Sequence, residues 1–325
     1  MTTLQPLPVP GDPCLFVLGY GRSGTTLFRR MLSAHPQVFV TPENDIFQRL
    51  PPIVGKGVAD AKALDRAIAV FPPYYARIYD IERFRTEAAR RLPLDAPSFF
   101  TTLIGCARIA EGKTGHLIWG HKMPSEWPYI RTWRRWYPRA KFIHMVRQPH
   151  DATASMVQYQ LQRYPTSALV GAWQWRRAFR EIRANARELG PESYLMLRYE
   201  DLVADPEGVL GQACRFLEVD ESAVSRMIAY KEDTSGSHTD EGVHMERTQG
   251  ALTTERIGRA GGDYNDSQTR MLDYICADAL DELGYRPRAE RPAGIFQKTG
   301  IAFANSGLDL AWAGVRAARR LRGQL

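Results

Sequence analysis

The chain has 325 residues, a formal net charge of +7, 44% hydrophobic and 24% charged residues. That balance is ordinary for a globular protein and excludes disorder, collagen and coiled coil as the main architecture. The length fits two domains of ~150 residues or one large α/β domain. The basic surplus leaves three partner classes open: nucleic acid, an anionic membrane surface, or a small anionic ligand.

Four cysteines, Cys14, Cys106, Cys214 and Cys276, lie far apart with no metal-ligand spacing. They predict four buried thiols in a reducing, cytoplasmic setting rather than a disulfide framework. Met1 to Pro13 lacks the basic and apolar regions of a secretory signal. No run of ~18 uncharged apolar residues predicts a transmembrane helix.

In chain order, Cys14 to Gly19 (CLFVLG) reads as a buried strand and runs into a glycine-rich turn, Gly19 to Gly24. TTLFRRMLSAH follows with helical periodicity and stops at His35-Pro36, since the residue before a proline leaves the helical region. Val38 to Val40 is a second short strand leading into TPEND. Residues 51–113 read as helices with Pro-containing loops. Leu117 to Trp119 is a strand candidate before GHKMP, Trp127 to Tyr137 looks helical, and Ala140 to Val146 is a buried strand. A helix begins at DATASM with Asp151 in its first turn, where a carboxylate suits the dipole. Trp173 to Leu189 is a charged helix, Ser193 to Leu197 a strand, and Asp205-Pro206 opens another helix. Residues 231–262 are polar with no apolar period and read as one long loop. Gln268 to Leu283 is a helix closed by Gly284. Arg286 to Pro292 is a linker, and 295–325 a last helical segment with a basic end. Strands alternating with helices predict a parallel sheet covered on both faces, with ligands at the carboxyl ends of its strands.

Gly19 to Thr26 (GYGRSGTT) nearly matches the phosphate-loop pattern G-x-x-x-x-G-K-[ST], between a strand and a helix. Backbone N–H groups at a helix N-terminus make a phosphate site, so Ser23, Gly24, Thr25 and Thr26 are candidate binders. Thr25 stands where the lysine that reaches the β/γ-phosphates belongs. The loop therefore predicts a 5′-phosphate group without ordinary nucleotide triphosphate hydrolysis, with Arg22 supplying the charge.

GYGRSGTTLFRRMLSAHP followed by TPEND resembles the 5′-phosphosulfate loop of sulfotransferases that use 3′-phosphoadenosine 5′-phosphosulfate (PAPS). With Arg22 before SGTT it is most similar to tyrosylprotein sulfotransferases and their bacterial relatives. KFIHMVRQPHDATAS resembles the family's 3′-phosphate motif, with Arg147 and Ser155 at the matching interval. LRYEDLVADPEGVLGQACRFL resembles the strand and helix that follow, and places Tyr199 near the nucleotide. The resemblance implies a P-loop-like three-layer α/β fold: one sulfotransferase domain over 14–285 with a helical insertion at about 51–113, and a helical extension over 293–325.

It also implies a chemistry. Sulfuryl transfer, like phosphoryl transfer, is mostly in-line positioning and charge neutralisation. PAPS is already activated, so no metal is required. Lys122 stands 25 residues before Arg147 and Glu43 21 residues after Arg22, intervals at which the family places a catalytic lysine and a proposed glutamate base. A competing reading makes Glu43 a helix N-terminal acid in PENDIF. His121 is the alternative base, and Asp45 an outsider. The chain also departs from the family. Pro42 precedes Glu43 where a second glutamate is found, the paired cysteines have no counterpart, and Thr254 stands where a nucleotide-binding lysine is offered, with Arg256 and Arg259 nearby as substitutes.

The acceptor has no motif: a sugar, lipid head group, phenolic metabolite or peptide tyrosine all fit, through a hydroxyl or an amine. Tyr74, Tyr75, Trp127 and Trp133 read equally as pocket or core. Two other classes stay open, a P-loop kinase-like enzyme using ATP and a non-enzymatic basic protein at a membrane. No nucleic-acid partner is expected. The 295–325 segment suits membrane contact or docking, on its own domain or in a homodimer.

Overall fold

The computed structural model describes residues 7–50, 54–113, 118–122, 124–161, 167–231, 257–258 and 263–321. Five strands, β1 (Cys14–Gly19), β2 (Val38–Thr41), β3 (Ile118–Lys122), β4 (Lys141–Val146) and β5 (Tyr194–Arg198), form one sheet in the order β2-β3-β1-β4-β5. Every pairing is parallel. Helices cover both faces, so the strands are apolar runs rather than alternating ones. Their side chains still alternate in direction. Phe16, Phe39, Trp119 and Phe142 enter one core, and Leu15, Val17, Val40 and Ile143 the other.

The described residues 54–113 are largely helical, as the pattern suggests. After α1 (Thr25–Ala34) and the short α2 (Ile46–Arg49) come α3 (Ala61–Ala69), α4 (Ile81–Ala89) and α5 (Ala96–Ala110). Each of these three starts at an aspartate, Asp60, Asp80 or Asp95, whose carboxylate accepts the N–H three residues on. Such caps satisfy donors that have no partner inside the helix. The later helices are α6 (Ile130–Trp136), α7 (Pro149–Leu161), α8 (Ala168–Leu189), α9 (Tyr199–Ala204), α10 (Pro206–Leu217) and α11 (Val224–Ile228), then α12 (Asp266–Ile275), α13 (Ala277–Glu282) and α14 (Ile295–Leu321).

Several boundaries differ from the sequence reading. β3 runs on through Gly120, His121 and Lys122, because the two buried polar side chains both find hydrogen-bond partners. The expected helix over 127–137 is a 3-10 turn, Pro124–Tyr129, containing Pro128, followed by α6. α8 starts at Ala168, where the Ser167 hydroxyl accepts the Val170 N–H. The helix read across 268–283 is two, because the backbone leaves the helical region at Cys276 (φ −97°, ψ 8°). Apart from Lys231 and residues 257–258, the long loop at 231–262, with Arg256 and Arg259, lies outside the described residues, as does Leu117.

The topology places a crevice. β1 connects through α1 to β2 on one side, and β4 connects through α7 and α8 to β5 on the other. The connections leaving adjacent β1 and β4 therefore run to opposite sides of the sheet at the strands' carboxyl ends, the position where such sheets bind ligands. The loop 20–24 and Arg147 both lie there.

α14 packs back on the body. Ile301 and Asn305 are buried, and the Trp312 ring lies 5.8 Å from Trp127 and 6.4 Å from Trp173. Asp309 accepts from Trp173 Nε1 at 2.9 Å and pairs with Arg177 at 3.0 Å, and Arg316 pairs with Glu181 at 3.1 Å. No described helix is long and apolar enough to cross a membrane. All four cysteines are buried and free, and burial pushes their thiols above the ordinary range.

Candidate active site

The loop after β1 turns into α1 through two left-handed residues, Arg22 (φ 70°) and Gly24 (φ 83°). A non-glycine residue in that region is strained and needs support from its surroundings. Arg22 has it: its Nε donates to Ser155 Oγ at 3.1 Å and its carbonyl accepts from the Arg147 guanidinium at 3.2 Å. α1 begins with no side-chain cap and no acid in its first turn. Its N–H groups and the positive end of its dipole thus face the crevice unneutralised, which suits an anion.

Arg147, at the end of β4, is 9% exposed. Its guanidinium lies 4.7 Å from the centroid of the Tyr199 ring, and its carbonyl accepts from Trp175 Nε1 at 3.1 Å. The next residue is held too: the Gln148 N–H donates to Glu200 at 2.9 Å, and Glu200 also accepts from the Tyr285 hydroxyl at 2.7 Å. Tyr199 in turn presses on the loop, since a Cβ built at Gly24 would stand 2.4 Å from its ring. The three separate motifs thus converge on one place. Gly24→Ala combines a disfavoured φ with that overlap. It is expected to destabilise the fold by about 1–3 kcal/mol, read as a lowered urea midpoint, and to weaken anion binding at the loop.

Lys122 closes β3 beside β1, in register with Val17. The side chain is 1% exposed, and its Nζ donates to Glu43 Oε2 at 2.5 Å and to Thr26 Oγ1 at 3.2 Å. Glu43 follows β2 with its side chain 52% exposed. A buried cation therefore bridges the first turn of α1 and a carboxylate open to solvent.

His121, one residue earlier, faces the opposite side of the sheet, as alternation requires. It is 1% exposed among Phe16, Phe47 and Trp133. Its Nε2–H donates to Glu126 at 2.8 Å and its Nδ1 accepts from the Thr41 hydroxyl at 3.1 Å. Burial and then the neighbouring Lys122 charge push the imidazole down to about 3. With both nitrogens engaged inside the core, His121 is not placed to take a proton from a substrate. His144 on β4, bonded to the Tyr194 hydroxyl at 2.8 Å, is likewise pushed down to about 3 by burial and then Arg183.

These two histidines have a consequence for stability. The unfolded chain protonates them near pH 6.5, while the folded chain resists to about 3. The unfolded state therefore binds more protons between those values, and stability falls as pH drops. Between pH 7 and 5, with most carboxylates still ionised, the urea midpoint is expected to fall steadily. His144→Asn should flatten that slope.

Asp45 is also engaged. It accepts from Tyr74 at 2.5 Å, Tyr75 at 2.9 Å and Arg49 at 2.7 Å. Burial alone would raise its pKa, but these hydrogen bonds hold it below the usual carboxylate range. The cluster fixes the 3-10 turn Pro73–Arg77 next to the segment that carries Glu43. Of the ambiguous aromatics, Trp133 is core, Trp127 packs on α14, and Tyr74 is 39% exposed.

One further link was not foreseen in the sequence. Arg288, in the linker, grips Asp151 with two bonds of 3.0 Å. Asp151 also accepts the Gly258 N–H at 2.8 Å, and Asp273 accepts the Arg288 and Ala289 N–H groups and pairs with His150 at 3.1 Å. The first turn of α7, one turn before Ser155, is thereby pinned to the linker. No local pattern marks partners 137 residues apart. Among the described residues no group of three His, Cys, Asp or Glu side chains is placed to hold a metal ion.

Residues 13–223 match the profile described as "Sulfotransferase family". The chain is 26% identical to a protein-tyrosine sulfotransferase of Drosophila melanogaster over 210 residues, which covers 64% of this chain and 38% of that protein. It is 24% identical to protein-tyrosine sulfotransferase 2 of Gallus gallus over 308 residues, 86% of this chain and 71% of the relative. Among solved structures, the sulfotransferase domain of the Synechococcus PCC 7002 olefin synthase superposes with a TM-score of 0.60 at 20% identity, covering 88% of this chain and 99% of that domain.

Proposed function

The chain belongs to the sulfotransferase family, and on that premise we propose that it moves the sulfuryl group of PAPS to an acceptor hydroxyl. The observation that carries this reading is the convergence of the α1 N-terminus, Arg22, Arg147, Ser155 and Lys122 at the carboxyl ends of β1, β3 and β4. A bisphosphorylated nucleotide needs two separate anion sites, and the crevice offers two: the loop with Lys122, and Arg147 with Ser155.

The donor set fits such a ligand. The Ser23 hydroxyl is buried and has no hydrogen-bond partner among the described residues, so a phosphate oxygen would satisfy it. In this reading residues 23–26 hold the 5′-phosphosulfate, Arg147 and Ser155 hold the 3′-phosphate, and Tyr199 supports Arg147. Bound there, PAPS supplies a sulfuryl group already activated by its phosphate leaving group.

Glu43 accepts the acceptor's proton as its oxygen attacks. The carboxylate is open to solvent on one side and fixed by Lys122 on the other, so it is both reachable and oriented. Lys122, beside Thr26, neutralises charge on the transferring group and the departing phosphate, with Arg22 assisting. His121 plays no part, because it is sealed on the other face of β3. Arg256 and Arg259 lie outside the described residues, and the resemblance alone offers one or other of them as a further cation for the nucleotide.

The relatives named protein-tyrosine sulfotransferases make a phenolic hydroxyl the first acceptor to try. Pro42 before Glu43 and four buried, free cysteines depart from the enzymes the sequence resembles, so sugar, lipid and small phenolic alcohols belong in the same panel. The test is transfer of radioactive sulfur from labelled PAPS, with products identified by mass. Label on an acceptor hydroxyl supports the reading. Magnesium-dependent ATP turnover without any sulfur transfer would overturn it.

A further inference from the structure

α14 has two faces, and only one is docked. Ile301, Asn305 and Trp312 turn toward the body, whereas Phe296, Phe303 and Leu310 stand 92%, 84% and 76% exposed. The last three recur every seven residues, a spacing that drifts only ~20° per step around a helix and keeps them in one stripe. Gly300, Gly307 and Gly314 recur at the same interval, each four residues after a large residue, and lie in the same stripe.

Nothing among the described residues calls for these glycines. A Cβ at any of the three would meet no atom within 4 Å, and none has a left-handed φ. Glycine weakens an exposed helix relative to alanine, so their regular placement points to something that packs against them.

The pattern is self-complementary in one orientation. If a second copy of α14 runs antiparallel about a two-fold axis level with residue 305, Phe296 falls opposite Gly314 of the second copy. Phe303 then meets Gly307, and Leu310 meets Gly300. Every large side chain faces a gap. A parallel pair in register would instead set ring against ring and gap against gap. Isologous contacts of this kind close as dimers.

The area is of the right order. Two phenylalanines exposed to this degree offer roughly 300 Å², and the stripe between residues 296 and 314 is ~27 Å long. With Leu310 and the backbone exposed at the glycines, the patch offers about 600 Å² per partner, so a pair would bury more than the ~1,000 Å² total that a specific interface needs. No charged residue shares the stripe, so pairing strands no ion. A lipid surface is a poorer occupant: it gains nothing from glycines, and Arg316 is turned inward to Glu181 rather than flanking the apolar face.

We infer that this face of α14 is a homodimer interface, formed by antiparallel pairing with a second copy of the chain through Phe296, Phe303 and Leu310. Sedimentation equilibrium of the full chain is expected to give twice the monomer mass of 36.8 kDa at micromolar concentration. Phe303→Asp should raise the dissociation constant roughly 30-fold or more. Gly307→Leu separates pairing from folding: a leucine stabilises the isolated helix but collides with Phe303 of the second copy. It should therefore raise the melting temperature of the monomer while abolishing the dimer. A monomer at all concentrations overturns the proposal, as does a dimer indifferent to both substitutions. A monomer that binds phosphatidylserine vesicles through Phe303 also overturns it, and assigns the face to lipid.

Discussion

Glu43→Gln is expected to lower the rate of sulfuryl transfer by ~10²- to 10⁴-fold, the range for removing a general base. Nucleotide affinity should stay within a few-fold of the parent. The substitution is nearly isosteric, and the amide oxygen can still accept from Lys122 Nζ, which now sits 2.5 Å from the carboxylate. Positioning is therefore retained while the basic site is lost. Lys122→Met should cost ~10²- to 10³-fold by removing a preorganised charge near the transferring group. Because the two side chains are bonded, the double substitution is expected to cost less than the product of the two single effects. Initial rates with labelled donor, across all three variants, check this. A Glu43→Gln enzyme within tenfold of the parent would rule out Glu43 as the base.

Arg147→Ala is expected to abolish discrimination between adenosine 3′,5′-bisphosphate and 5′-AMP. The parent should prefer the bisphosphate by about 10- to 150-fold, which corresponds to the ~1.5–3 kcal/mol of a hydrogen bond to a charged group. The guanidinium is held on its Tyr199 side by the ring and on its loop side by the Arg22 carbonyl, so it reaches the crevice already oriented. Arg147→Lys keeps the charge but loses the planar fork, and should fall between the two. Titration calorimetry with both nucleotides reads the ratio directly. An Arg147→Ala chain that keeps the parent's preference would remove Arg147 from the 3′-phosphate site. Loss of affinity for both nucleotides alike would instead show that Arg147 supports the Arg22 loop.

Much of the fold was legible because its signals are local. CLFVLG, the glycine turn and TTLFRRMLSAH lie within about twenty residues, and each reports its own conformation. The proline that opens α10 is equally local. The limits of β3 were not, because GHK carries no apolar signal. Those residues extend the strand only because Thr41, Glu126, Thr26 and Glu43 supply their partners. The break at Cys276 carried no glycine or proline to announce it.

Residue types, spacing and charge by themselves determined the strand–loop–helix anion site, the loss of the usual loop lysine to Thr25, and the short list of Arg22, Glu43, His121, Lys122, Arg147 and Ser155. Only the tertiary structure showed which of them share the crevice. Adjacent residues on a strand face opposite sides of the sheet, so placing Lys122 at the crevice forced His121 into the core. Asp45, the outsider, is engaged by tyrosines about thirty positions away. The +7 charge shows the same division. The sequence supplied the cations, whereas the fold brought Arg22, Lys122 and Arg147 to the carboxyl ends of neighbouring strands and turned Arg288 and Arg316 to inward carboxylates. Periodicity reveals that an element has two faces. Which face meets a ligand depends on its neighbours in space, and residues 29 to 137 positions apart leave no mark on one another in the chain.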